Sequence, residues 1–177
     1  DTFGESTVLF LAVCSIMMVL KKSPDEVLVN TLNTRPYEPR QDQIFRWIAL
    51  YLIPCIMLFG IYVVLNGHLS PGGGFSGGAI LGAGFIMYCS AFGFEKTSAF
   101  LNEQTFKKVV SCALLFYAAA KSYSFYTGAN HIASIIPLGK PGAILSGGLI
   151  LPLNIAVGMI VACTVYGIFA LYSRGGF

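Results

Sequence analysis

The sequence predicts an all-α integral membrane protein with about five transmembrane helices. Three observations predict it. First, only 11% of the 177 residues are charged, against about 25% in average soluble proteins. Second, 55% are hydrophobic, the mean hydropathy is +0.72, and the apolar residues gather into long runs separated by short polar stretches. Third, glycine and proline interrupt the pattern twice, as a Gly-rich PGGGF loop and as a break in the last run. Membranes tolerate such irregular backbone only inside protein or beside water.

The first apolar run covers residues 6–20 and is short for a span, which needs about 20 residues. It is expected to extend back to Thr2, where Thr2 and Glu5 have the spacing of a capping box. Lys21 and Lys22 close its far end, where they suit the helix dipole. No basic segment precedes this run and no cleavage-like site follows it, so no secretory signal is expected. Residues 23–43 form the extended polar stretch. Ser23-Pro24-Asp25-Glu26 combines a cap, a proline and first-turn acids, and predicts a short surface helix to about Asn33. Arg35–Arg40, with Pro36 and Pro39, then reads as an extended linker.

The second span is residues 44–66, anchored at the interface by Arg46 and Trp47 and expected to kink at Pro54. The Gly67–Gly78 stretch follows. It carries no Lys, Arg, Asp or Glu, and holds six of the 20 glycines and one of the two histidines, His68. Pro71 removes a backbone donor, while Gly67, Gly72, Gly73, Gly74, Gly77 and Gly78 allow sharp bends and close backbone approach. The third span, residues 75–94, begins inside this stretch at Phe75. Gly74, Gly78 and Gly82 repeat every four residues, a stripe on which another helix can pack closely. A polar loop over 95–108 leads to the fourth span, residues 106–126, which contains Lys121. A less apolar region over 127–142 holds His131 and Lys140. The last span, residues 143–172, is longer than one crossing needs; Gly147, Gly148 and Pro152 interrupt its first third, and a broken or tilted helix is expected, with the break at Pro152-Leu153-Asn154.

Nine of the eleven basic residues then fall on one side of the membrane, and Lys121 and Lys140 on the other. The positive-inside rule places residues 21–46 and the C-terminus in the cytoplasm and the glycine stretch outside. The small net charge of +3, spread over loops, gives no basis for nucleic-acid binding.

The chemistry is sparse. The five cysteines lie in separate apolar runs without CxxC or Cys/His ligand spacing, so they read as packing residues and no metal or redox cofactor is expected. No nucleophile elbow, phosphate loop or HExxH motif occurs, so no catalytic residue is assigned. Lys121 is the clearest intramembrane charge. A Lys at mid-membrane costs about 2.5–3.5 kcal/mol, which favours a functional role, although its stem can also snorkel to the interface. Tyr117, Lys121 and Ser124 share one helix face, which favours an inward polar stripe. Glu5 is a cap or a carboxylate at the mouth of an ion path. His68 is a proton relay or a hydrogen-bonded loop residue, and His131 fits a structural role better. Asn154, beside Pro152, is placed to satisfy carbonyls freed by the break. Carbonyls of the PGGGF loop either guide a cation or serve packing alone.

Two stretches resemble a known family. GHLSPGGGFSGG, with the later Gly/Pro break followed by Pro-Leu-Asn, looks like the MrpB (MnhB) component of Mrp-type sodium/proton antiporters, over about residues 44–175. The same module recurs in membrane-bound hydrogenase-type complexes. Asp1-Thr2-Phe3-Gly4-Glu5 before an apolar helix is similar to the DTxGE segment near the end of the MrpA component, and puts Glu5 on the ion path. Residues 1–22 and 44–177 therefore read as pieces of two neighbouring components, fused through the 23–43 linker, which neither resemblance covers. The resemblance implies an accessory subunit of a cation/proton-translocating module in a prokaryotic cell membrane, moving Na+ or H+. Its expected partners are other small Mrp-like subunits, antiporter-like large subunits and a redox arm with Fe-S or Ni-Fe subunits. The alternatives are the MrpB component of a stand-alone antiporter and a purely structural scaffold.

Overall fold

The computed structural model describes residues 2–20, 43–67, 72–130 and 148–174. They form six helices: α1 (Thr2–Leu20), α2 (Gln43–Leu65), α3 (Gly74–Phe92), α4 (Phe94–Ser98), α5 (Glu103–Ala129) and α6 (Ile150–Arg174). The surface helix expected from Ser23, the Arg35–Arg40 linker, His68, Pro71 and His131 lie outside the described residues.

Four of these helices, α1, α2, α3 and α6, are long and apolar enough to cross a membrane. The fourth of the five expected spans, α5, is long enough at 27 residues, or about 40 Å by helix rise. It is less apolar than the other four, because Lys107, Lys108 and Lys121 fall within it. It nevertheless runs beside α6 and α1 as a member of the same bundle.

Helix α6 is the hub and touches α1, α2, α3 and α5. The largest core cluster gathers around it: Ile160, Cys163 and Tyr166 of α6 meet Val13 of α1, Cys89 of α3, and Phe106 and Val110 of α5. Phe85 meets Tyr166 edge-on at 6.4 Å, and Phe94 stacks on Phe169 at 5.9 Å, so α3 and α4 are each tied to α6 by an aromatic pair. Gly93 separates α3 from α4. Its φ of 90° suits glycine, and its N–H donates to the Cys89 carbonyl at 2.9 Å.

Helix α3 lies between α2 and α6, and glycine lets both neighbours close in. On one face, Gly74 lies against Asn154 and Val157, Gly78 against Gly158 and Val161, and Gly82 against Ala162 and Val165. On the other, Gly77 lies against Gly60 and Val64. A Cβ at Gly78 would stand 2.6 Å from the Gly158 carbonyl oxygen, so the two backbones are in direct contact. Lipid tails are as apolar as the side chains, so this close van der Waals contact, and not burial from water, holds the helices together.

Of the two expectations about proline, one needs adjustment. Helix α2 continues through Pro54, which faces outward, so the lost backbone hydrogen bond does not end it. The interruption expected at Pro152–Asn154 lies earlier. Gly148 has φ 62°, α6 starts at Ile150, and Pro152 sits in its first turn, where backbone N–H groups have no helical partner to lose. The Leu153 N–H already donates to the Leu149 carbonyl at 3.1 Å. Asn154 is therefore inside a regular helix and has no freed carbonyls to satisfy.

Replacing Gly78 with Val is expected to lower stability by about 1–3 kcal/mol or more, because the clash is with backbone that cannot rotate away. Gly128 lies within α5 with open space around it. Its replacement by Ala should be neutral or stabilise by up to about 1 kcal/mol. Thermal melting of the two variants in detergent, side by side, checks both signs.

Candidate functional site

Two groups of the sequence-predicted residues come together, one on each side of Val157 of α6. The first is the seat of the glycine stretch. The Gly67 turn after α2 closes against Gly73 and against the side chain of Asn154. A Cβ at Gly67 would lie 2.7 Å from the Gly73 Cα and 2.8 Å from Asn154 Nδ2. Gly74 rests on the Asn154 backbone carbonyl and on Val157. Ser76 fixes the start of α3: the Gly73 N–H donates to its hydroxyl oxygen at 3.1 Å. Within this seat the Asn154 Nδ2 is buried and makes no hydrogen bond among the described residues. An unpaired buried donor costs about 1–3 kcal/mol, so the amide is held there against its own solvation preference.

The second group lies where the N-terminus of α1 meets α5. Phe3 stacks on Tyr117 at 5.3 Å with an interplanar angle of 11°. Thr2 and Glu5 are the α1 side chains that act on the Tyr117 hydroxyl. Lys121, one turn further along α5, places its Nζ 5.9 Å from the Tyr117 ring centroid, a cation–π distance. Tyr117 itself is 4% exposed and packs with Val157 and Val161 of α6. Tyr117 and Gly74 thus both rest on Val157, which links the two groups through one side chain.

The individual placements differ from the sequence expectations in two respects. Of the expected inward stripe on α5, only Tyr117 points inward, while Lys121 and Ser124 are exposed on this chain. Thr2 is already helical and so does not act as the cap of α1, and Glu5 is an exposed first-turn residue. Glu5 and Lys121 form no ion pair among the described residues. Phe75 is 43% exposed and turns away from the glycine seat. Ser76, Gly60, Gly158 and Thr2 enter these contacts without a site role expected from the sequence. Of these, Thr2 carries the capping-box and DTxGE signals, and Ser76 carries one of its own, a serine in the first turn of a helix with no conventional cap. A groove of about 440 Å³ between α5 and α6 reaches Pro152, but its walls, including Val109, Phe116 and Met159, are apolar and offer no chemistry.

The described charges divide by end. Arg46 begins α2, Lys96 lies in α4, and Lys107 and Lys108 begin α5, all at one end of the bundle. Lys107 pairs with Glu103 one turn away on α5. The glycine seat, Glu5 and Lys121 occupy the opposite end.

Comparison with known proteins places this geometry in a family. A family model described as a domain related to the MnhB subunit of Na+/H+ antiporters matches residues 44–167. An uncharacterized protein of Methanocaldococcus jannaschii is 29% identical over 180 residues, which cover 91% of this chain and 67% of that protein. A Staphylococcus aureus protein named as a candidate antiporter subunit, mnhB2, is 38% identical over 55 residues, which cover 31% of this chain and 39% of that protein. Among solved structures, a chain in the membrane-bound sulfane sulfur reductase, an archaeal respiratory membrane complex, matches with a TM-score of 0.70 and 27% identity. That match covers 96% of this chain and 70% of the other. With more than half of its residues matched by the family model, the chain belongs to the family of domains related to the MnhB subunit of Na+/H+ antiporters.

Proposed function

We propose that the chain is an accessory membrane subunit of an Mrp-like module that exchanges Na+ and H+, and that this module is attached to a redox arm of the hydrogenase type. The observation that carries the second half is the reach of the structural match. The family model covers residues 44–167, whereas the likeness to the archaeal respiratory complex covers 96% of the chain and so takes in α1. That reach supports the reading of one chain that joins α1, a linker and the MrpB-like bundle within a respiratory complex. In this reading residues 1–22 and 44–177 are fused pieces of two neighbouring components. The chain itself is non-catalytic, and electron transfer takes place on other subunits. The end that carries Arg46, Lys96, Lys107 and Lys108 faces the cytoplasm, in keeping with the positive-inside rule.

The contribution to ion movement centres on the opposite end. Tyr117 and Lys121 supply a phenol and an ammonium beside one another, Glu5 a carboxylate in the first turn of α1, and Asn154 an amide that is unpaired among the described residues. Glu5 and Lys121 are exposed on this chain, so their ion contacts require a neighbouring subunit to complete the wall. Two readings compete with this one: the MrpB component of a stand-alone antiporter, and a scaffold without ion contact.

Mild-detergent purification from the native membrane, followed by mass spectrometry, is expected to recover iron–sulfur or nickel–iron subunits together with antiporter-like membrane proteins. Recovery of antiporter-type subunits alone would select the stand-alone antiporter. Glu5→Gln, Lys121→Met and His68→Ala are each expected to slow cation/proton exchange in vesicles about tenfold or more, the scale of one lost charged contact. Unchanged exchange with intact assembly would leave the scaffold. Asn154→Leu should hold or raise the melting temperature, because it removes an unpaired buried donor, while lowering exchange if the amide serves the ion.

A further inference from the structure

We infer that Arg46 and Lys96 form a binding site for the phosphate of an anionic phospholipid. The two cations come from different helices and converge on one aromatic ring. The Arg46 Cζ lies 5.8 Å from the Phe92 centroid and the Lys96 Nζ lies 5.9 Å from it. They are therefore within about 12 Å of each other. Phe92 is held in place by the α2–α3 seam, where it packs with Ala49, Ile53 and Ala91.

Among the described residues the patch has no counter-ion. Neither Arg46 nor Lys96 makes a salt bridge among the described residues, and the ion pair at this end, Lys107–Glu103, uses neither. Arg46 also sits in the first turn of α2, which contains no acidic residue. The helix dipole is positive there, so it disfavours the guanidinium and does not neutralise it. Among the described residues, Glu95 is the carboxylate next to Lys96 in the chain. It precedes Lys96 in α4, and neither cation pairs with it. The ring attracts both cations through its quadrupole but cannot cancel their charge. Two cations thus approach one ring, and neither makes a salt bridge among the described residues.

The apolar surroundings select a lipid as the source of that anion. Trp47 is 63% exposed and Tyr51 71%, next to Arg46 on α2, and Ile44 and Ile48 are exposed beside them. Aromatic residues at this level mark the membrane interface, where a phosphate meets acyl chains. A phospholipid fills both halves of the patch: its phosphate between Arg46 and Lys96, its chains along the apolar side of α2. Arg46 has the planar donors that suit phosphate oxygens, and Lys96 serves as a point charge.

The test uses the membrane complex purified with this chain in place and reconstituted in nanodiscs of phosphatidylcholine containing graded phosphatidylglycerol. Phosphatidylglycerol retained after delipidation is counted by native mass spectrometry. Removing each cation is expected to weaken retention about fivefold, and Arg46→Gln with Lys96→Gln together roughly 25-fold. Arg46→Lys with Lys96→Arg should keep the lipid. Lys108→Gln removes a cation of the same end that approaches no ring, and should also leave it in place. Unchanged retention in the double Gln variant overturns the proposal, and so does an equal loss in Lys108→Gln, which would mean a diffuse surface potential. Loss of a neighbouring protein with the lipid retained also overturns it, since the anion would then be that protein's carboxylate. Should the double variant fail to assemble, the single Gln variants carry the test with their fivefold losses.

Discussion

The structure depends on how closely α3 can approach α6. In a bilayer the surrounding tails are as apolar as the helix surfaces, so association must come from contact at short range. Gly74, Gly78 and Gly82 provide that contact by removing every side chain from one stripe of α3. The matching surface on α6 is Asn154, Val157–Gly158 and Val161–Ala162, in which backbone carbonyls and small residues alternate with valine. A poor helix-forming sequence becomes helical here because tertiary packing outweighs its propensity.

That approach also assembles the candidate site. Once α3 is seated on α6, the Gly67 turn that ends α2 closes against Gly73 and the Asn154 side chain. Val157, gripped by Gly74 on one side, supports Tyr117 on the other, and Tyr117 gathers Phe3, Thr2, Glu5 and Lys121. The N-terminal helix is therefore connected to the glycine motif through two side chains, although they lie far apart in sequence. The two ends of the bundle differ in chemistry: glycine backbone, an amide, Glu5 and Lys121 lie at one, and Arg46 and Lys96, beside the Phe92 ring, at the other.

Much of this is legible in the sequence. Composition and run lengths indicate the all-helical membrane class, and the four-residue glycine spacing marks the packing face of α3. Signals of this kind survive because they are periodic and local. Pro152 is different, because a proline signals a break or a helix start with equal force, and only the turn at Gly148 decides which. Lys121 is expected on an inward stripe, yet its helix presents Tyr117 to the core and leaves the ammonium at the bundle surface, over that ring. Spacing fixes which residues share a face but not how far that face turns inward. The partner glycines Gly60 and Gly158 are illegible for another reason. A single glycine in an apolar run carries no period, and its role is defined by the helix opposite.

The central claim is the seating of α3 on α6 by its glycine stripe, and a paired-cysteine experiment tests it most directly. In a background with the five native cysteines replaced, Gly82→Cys with Val165→Cys places two thiols where the Cβ positions nearly touch, at 2.9 Å before relaxation. Disulfides need Cβ separations of about 3.5–4.5 Å, which a small outward shift supplies. Mild oxidation in native membranes should give a near-complete intrachain cross-link. The pair Gly84→Cys with Val165→Cys should give none, because Gly84 faces Met57 of α2. Equal cross-linking of both pairs, or cross-linking of the second pair alone, would contradict the packing face on which the account rests.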